Sequence, residues 1–295
     1  STDFLNLEAL PKRVLFIGGG FVSFEFAHIA ARAGANPIIV DRGARPLRGF
    51  DPDLVEMLIE RGTGIGVDLM RETEIVSVAE TNGAFTVEVK SGDQTWTVET
   101  DLVVHGAGRV AALADLNLEA AGVDYSDKGI VVAPHLQSTT NSAVFAAGDS
   151  ADTDGMPLTP VAVIEGKVAA SNMLKDASTV PDYTGIPSAV FTIPELARVG
   201  LLETEARDLG LKIDVRYTDA STWYSSYRLG EDTAAAKILV NKDDDRIVGA
   251  HLLGPDYTEH ANIVALAIKL GLTTRQLKTT TAAYPTLGSD LGSML

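Results

Sequence analysis

Residues 14–24, VLFIGGGFVSF, put three glycines between an apolar run and a helical pattern. Gly18 and Gly20, with Ser23 as a third small residue, match the spacing of a dinucleotide-binding loop. Gly18 permits a tight turn, Gly20 has no side chain to bar a pyrophosphate, and Ser23 lets helix and strand pack closely. The helix start at Phe21 and Val22 offers unbonded N–H groups and a positive dipole end. A second apolar run ends at Asp41, about 20 residues on, where such a loop has the acid that binds the adenosine ribose. Asp41 favours NAD. Arg42, Arg45 and Arg48 follow at once, and arginine's planar fork suits a 2′-phosphate. The reading leans to NADP, with NAD open because Asp41 would repel the extra phosphate. A tight turn without a ligand and a solvated basic loop are the plain alternatives.

These residues need a βαβ frame. Residues 14–17 read as a buried strand, 21–33 as a helix ended by Gly34, and 37–40 as a second strand. Asp51-Pro52-Asp53 supplies an N-cap, a proline at N1 and first-turn acidity for a helix over 54–61. Strand patterns follow at 74–78, 85–89, 96–99 and 102–104. A second region opens near Ala111, with a strand at 143–147, the turn Gly148-Asp149 and a helix from about residue 160 to 174. Residues 176–185 are polar, contain Pro181 and read as a linker. Beyond them, strands at 189–192, 213–217, 236–240 and 247–253, with helices at 203–209 and 258–270, give an antiparallel α+β pattern. The aromatic stretch WYSSY, residues 223–227, suits either an interface or a core.

Composition narrows the chemistry. The 295 residues include no cysteine, so the chain offers no disulfide framework, thiolate metal site or thiol nucleophile. A net charge of −16 argues against a nucleic-acid or anionic-membrane surface. No apolar run approaches the roughly 20 residues of a membrane helix, and no signal peptide is visible, so a cytoplasmic location is expected. None of the seven tyrosines has a lysine four residues on, and neither HExxH nor GxxxxGK[ST] occurs. His28, His105, His135, His251 and His260 lack metal-ligand spacing and read as structural.

Several motifs in order carry a resemblance. LPKRVLFIGGGFVSFEFA, RPLRGFDPDL, GAGR ending at Arg109, FAAGDSAD, LTPVAVIEGKVAA, IPSAVFTIPELARVGL and DRIVGAHLLGP occur along nearly the whole chain. It resembles the FAD-dependent pyridine nucleotide–disulfide oxidoreductases, the glutathione reductase-like family. The resemblance implies an α/β fold: a Rossmann-like NAD(P)-binding domain (1–110), the trailing part of an FAD-binding domain (111–183) and an α+β dimerisation domain (184–295). It also implies roles. Gly108 and Arg109 would lie near the cofactors. Gly148 and Asp149 form the second flavin motif, Asp149 bonding the ribityl chain unless it caps its own turn. Thr159, Pro160, Val161 and Ala162 start a helix whose positive end would face the flavin pyrimidine. Glu25 would lie where nicotinamide meets flavin, paired with a lysine outside this chain, unless it is an ordinary exposed helix acid. Phe21 stands where the family often has a gating tyrosine, with core packing as the alternative.

In the family, a domain with its own glycine fingerprint and a redox cysteine pair precedes the NAD(P) loop. The resemblance therefore implies a fragment, with FAD belonging to a full-length parent. Near the C-terminus, family disulfide reductases carry His-Pro-Thr and then a Glu, a base and the acid that orients it. Here Tyr284-Pro285-Thr286 stands in its place, Ser289 falls at the acid's position and Asp290 is next. A tyrosine hydroxyl titrates near about 10, so Tyr284 suits proton or hydrogen-bond donation better than base catalysis. The expected function is hydride transfer from NAD(P)H to FAD and then to a disulfide or other small-molecule acceptor, in a homodimer. The alternative is a nucleotide-binding, dimerising module without turnover.

Overall fold

The computed structural model describes residues 2–175 and 178–295. The chain divides into two compact units, one of Ser1–Gly108 with Pro187–Leu295 and one of Arg109–Ile186.

The first unit opens with a short helix α1 (Thr2–Leu5) and the βαβ frame β1 (Arg13–Ile17), α2 (Phe21–Arg32) and β2 (Asn36–Val40). Helix α3 (Pro52–Gly64) begins where the sequence places it, with the Asp51 carboxylate accepting from the Asp53 and Leu54 N–H groups. Strand β3 (Asp68–Met70), the meander β4 (Glu74–Thr81), β5 (Ala84–Ser91) and β6 (Gln94–Thr100), and β7 (Leu102–His105) follow. A parallel sheet runs β3-β2-β1-β7, and the meander forms its own antiparallel sheet. Phe16 sits opposite Ile39 on one side and Val104 on the other, so β1 is central. Its residues 14–16 are almost fully buried, which is why this strand reads as an unbroken apolar run.

The second unit is small. β8 (Tyr125–Ser126), β9 (Gly129–Val131) and β10 (Ala151–Asp152) form a three-stranded sheet, followed by helix α4 (Thr159–Leu174). The strand expected at 143–147 does not form. Phe145 makes an isolated bridge to Gln137, while the Ser138 and Ala146 N–H groups donate to Val144 and Leu136 carbonyls. Ala146 is buried there with Val144 against it, so the segment is apolar for packing and no ladder extends along it. Of the expected linker, residues 176 and 177 lie outside the described residues, and no helix or strand is assigned over 178–185.

The rest of the first unit is an antiparallel sheet with helices: β11 (Pro187–Val190), β12 (Glu195–Gly200), α5 (Glu203–Asp208), β13 (Ile213–Asp219), α6 (Tyr224–Leu229), β14 (Ala235–Asn241), β15 (Ile247–Gly254), α7 (Tyr257–Leu270), α8 (Thr274–Lys278) and α9 (Leu287–Met294). The sheet order is β11-β12-β15-β14-β13. WYSSY divides: Trp223 packs on the core, Ser225 and Ser226 are buried, and Tyr224 and Tyr227 face solvent. Val190, Leu196, Ala235 and Leu253 share one apolar cluster with β1, α2 and α3. Among the described residues no helix is long and apolar enough to cross a membrane.

Two buried imidazoles make this unit acid-sensitive. Burial pushes His28 and His251 from 6.5 down to about 4. The unfolded chain takes up each proton near its ordinary value, and the folded chain holds out to the lower one. Their contribution is complete above the ordinary value and is lost as pH falls toward the folded value, at about 1.4 kcal/mol per pH unit for each imidazole. His28→Gln is expected to flatten the pH dependence of the urea midpoint across that window. An unchanged slope would show that His28 protonates as readily folded as unfolded.

Candidate functional site: the glycine loop and its surroundings

The loop after β1 is built by its glycines. Gly18 has φ +96°, and a Cβ there would stand 2.7 Å from the Ala107 backbone. Gly20 is different. Its φ of −87° is ordinary, and a Cβ there would meet only the Gly106 carbonyl oxygen, at 3.5 Å. The space in front of Gly20 is open, as a close-approaching pyrophosphate requires. Ser23 is fully buried, its Oγ has no partner among the described residues, and a Cβ on Gly106 would run into it. That contact holds α2 close to the end of β7.

Helix α2 starts without help. Gly20 is its N-cap, no side chain among the described residues caps it, and no acid lies in its first turn. Helix α3 has the opposite treatment, with a capping Asp51 and Asp53 in the first turn. The N–H groups of the first turn, those of Phe21 and Val22 among them, have no side chain to bond, so the α2 terminus attracts an anion. Near it, the half-buried Asp41 carboxylate and the exposed guanidinium groups of Arg42 and Arg48 have no hydrogen-bond or ion-pair partner among the described residues. Arg45 instead donates to the Arg48 carbonyl at 3.5 Å.

One turn along α2, Glu25 accepts the Phe191 N–H at 2.9 Å. Burial pushes its carboxyl up from the ordinary value, and the Phe191 N–H pulls the other way. Phe21, Phe191 and Ile193 are exposed, so Phe21 is not part of the core. His28, below Glu25, faces the same loop and accepts from the Ile193 N–H at 3.5 Å. The loop 191–193 is a part of the site that the sequence does not disclose, because its partners lie more than 160 residues away.

The other expected residues fall as follows. Gly108 has φ +112° with open space beside it, and Arg109 is exposed where the chain passes from one unit to the other. In the second unit, Gly148, Asp149 and Ser150 form a 3₁₀ turn. The Asp149 side chain is exposed and caps nothing among the described residues. The Gly148 N–H is bound to the Glu165 carboxylate at 2.6 Å. Helix α4 has no side-chain cap among the described residues and no first-turn acid. Thr159 and Pro160 are exposed, whereas the Val161 side chain is buried, leaving only its backbone for a ligand. Tyr284 is 84% exposed, on a segment where residues 278–286 are all exposed. Ser289, at the family acid's position, closes the cap of α9 with Thr286. Asp290 turns inward and accepts from Ser225. Neither supplies a carboxylate partner to Tyr284.

A parallel βαβ frame with an open glycine loop, joined to an antiparallel α+β domain, is a fold of the Rossmann-like class. Comparison with known proteins agrees. Residues 1–166 match the pyridine nucleotide-disulphide oxidoreductases, and residues 186–294 match the dimerisation domain of that family. The chain is 33% identical over 297 residues to glutathione reductase of Burkholderia cepacia, covering 98% of this chain and 64% of that one. It is 46% identical over 180 residues to an uncharacterised 19.7 kDa protein in a mercuric resistance operon of Staphylococcus aureus, covering 61% of this chain and 100% of that protein. Among solved structures, the Cu(II) complex of the HOCl-induced flavoprotein disulfide reductase RclA from Escherichia coli has a TM-score of 0.88 at 26% identity, covering 99% of this chain and 65% of that one. The chain belongs to the pyridine nucleotide-disulphide oxidoreductase family. It spans less than two thirds of the length of the glutathione reductase and of RclA.

Proposed function

We propose that the chain serves an NAD(P)H-dependent flavoprotein oxidoreductase, binding the pyridine nucleotide at the Gly18–Gly20 loop with a preference for NADPH. One observation carries this reading: α2 begins at a glycine with open space before it and no side-chain cap, beside Asp41, Arg42 and Arg48, whose side-chain charges are unpaired among the described residues. Gly18, Gly20 and Ser23 shape the loop, Phe21 and Val22 offer backbone N–H groups to the diphosphate, and Arg42 and Arg48 meet a 2′-phosphate. The second unit fits a flavin through the free Asp149 carboxylate and the uncapped start of α4 at Thr159, Pro160, Val161 and Ala162. Gly108 and Arg109 complete the set of cofactor-facing positions. The chemistry supplied by the bound cofactors is hydride transfer from nicotinamide to FAD and onward electron transfer to a disulfide or other small acceptor. A site for reduced pyridine nucleotide fits a cytoplasmic location.

Glu25 and Tyr284 are the proton-handling groups of this reading. Glu25, with its carboxyl raised by burial, is suited to hold a proton or a cation at the exposed apolar surface around Phe21 and Phe191. Tyr284 offers an O–H without a neighbouring acid to orient it, so it acts as a donor toward the acceptor. A homodimer is supported by the dimerisation-domain match and by an exposed apolar row on α7, Ile263, Leu266 and Leu270. Sedimentation as a monomer at micromolar concentration would contradict it.

The nucleotide preference has a direct test. Arg42→Ala and Arg48→Ala are each expected to weaken NADPH binding by about tenfold, near 1.4 kcal/mol, and to leave NADH affinity within about twofold. Calorimetry with both nucleotides measures this. Equal losses for the two would assign the arginines to general phosphate attraction, and no loss for either would remove them from the site.

A further inference from the structure

Glu165 lies in the middle of α4 and is 1% exposed. Its carboxylate has three donors. Oε2 accepts the Gly148 N–H at 2.6 Å, and Oε1 accepts the Thr153 hydroxyl at 2.7 Å and the Tyr183 hydroxyl at 2.6 Å. No ion pair to Glu165 occurs among the described residues. A buried carboxylate needs such compensation, and short bonds to an ionised acceptor are the strong ones.

The elements it joins are those that carry the proposed flavin contacts. Gly148 opens the turn that holds Asp149. Glu165 projects from the helix whose first turn is Thr159 to Ala162. The two approach closely, since a Cβ on Gly148 would stand 2.9 Å from the Ala162 Cβ. The Asp149 side chain bonds to nothing among the described residues, so only its backbone places it, and that backbone is anchored one residue earlier by Glu165.

We propose that Glu165 is a positioning residue that fixes the Asp149 carboxylate relative to the start of α4, with Thr153 and Tyr183 holding the Glu165 carboxylate from its other oxygen. The proposal rests on the reading of Asp149 and the α4 start as flavin-facing. It adds a requirement that reading does not contain: residue 165 must present an oxygen to the Gly148 N–H, and an apolar residue of the same size must fail.

The experiment uses the full chain with FAD as the probe and two readouts, amide hydrogen exchange at residues 148–150 and FAD affinity by fluorescence. Glu165→Leu is expected to speed exchange at the Gly148 amide by about 100-fold and to weaken FAD by about tenfold. Glu165→Gln, which keeps an oxygen for the Gly148 N–H, is expected to restore both to within about threefold of the parent. Adding Glu165→Leu to Asp149→Asn should weaken FAD no further, because both act on one contact. Tyr183→Phe and Thr153→Ala remove one donor each and should give intermediate exchange rates, which keeps the test open if Glu165→Leu does not fold. Unchanged exchange in these variants overturns the proposal, as does full additivity of Glu165→Leu with Asp149→Asn. No FAD binding by the parent chain, with the exchange effects intact, instead sinks the flavin reading of Asp149 and takes the positioning role with it.

Discussion

Asp51→Ala is expected to lower the unfolding free energy by about 3–5 kcal/mol, the range for breaking a buried ion pair by removing one partner. Asp51 is 1% exposed and does two things at once. Oδ1 accepts from the Asp53 and Leu54 N–H groups and starts α3. Oδ2 accepts from Lys237 Nζ at 2.8 Å, tying α3 to β14 across 186 residues of sequence. Lys237 also bonds Asp53, but that carboxylate is mostly exposed, so solvent screens it and it cannot stand in for Asp51. Alanine removes the cap and strands a buried ammonium. Asp51→Asn separates the two effects, because asparagine caps as well as aspartate. It is expected to retain the roughly 1 kcal/mol of the cap and lose the rest. Urea denaturation of both variants decides. A loss under about 1 kcal/mol in Asp51→Ala would mean that water reaches Lys237 and that the pair is a surface contact.

The same pair carries an alkaline signature. Burial disfavours charge on Lys237, but its bonds to Asp51 and Asp53 outweigh this and raise it above 10.5. A group raised on folding contributes fully below its ordinary value and loses its contribution as pH rises through the folded value. This stabilisation is therefore intact at neutral pH and fails only above the ordinary lysine range.

The sequence shows what local chemistry dictates. β1, α2 and β2 are legible because an apolar run, three glycines and a helical repeat follow one another without interruption, and Asp51-Pro52 marks the start of α3 before any contact is known. β3, at three residues, is too short to carry a pattern. β12 is obscured by Arg198, a charged residue in a buried strand, whose guanidinium bonds the Gly49 and Gly200 carbonyls. α9 is rich in glycine and serine, poor helix formers, and is held by Leu291 and Met294 in the core. In the candidate site, the glycine loop and basic turn are local and visible. The anchoring of Glu25 by Phe191, and of Gly148 by Glu165, is tertiary. Glu165, set just after the apolar run PVAVI in TPVAVIEGKVAA, is the local sign that α4 buries something polar.

Gly20→Asp is expected to leave the fold as stable as before, or a few tenths of a kcal/mol more stable, while weakening NADPH by about 100-fold, near 2.7 kcal/mol. The two halves of this expectation come from one geometry. Gly20 sits at the N-cap with φ −87° and ψ 175°, a conformation open to any residue, and a Cβ there is unobstructed but for one carbonyl oxygen at 3.5 Å. An aspartate can therefore cap α2 as Asp51 caps α3, satisfying the same first-turn N–H groups that a pyrophosphate would use. Its negative charge then occupies the helix terminus and repels the ligand. Gly18→Ala inverts the pattern, since φ +96° and the Ala107 backbone at 2.7 Å oppose any side chain, and it should lower stability by about 1–3 kcal/mol. Thermal melting and calorimetry on both variants separate shaping the loop from filling it. If Gly20→Asp binds NADPH as tightly as the parent, the open terminus of α2 is not where the phosphates lie, and the functional reading loses the observation that carries it.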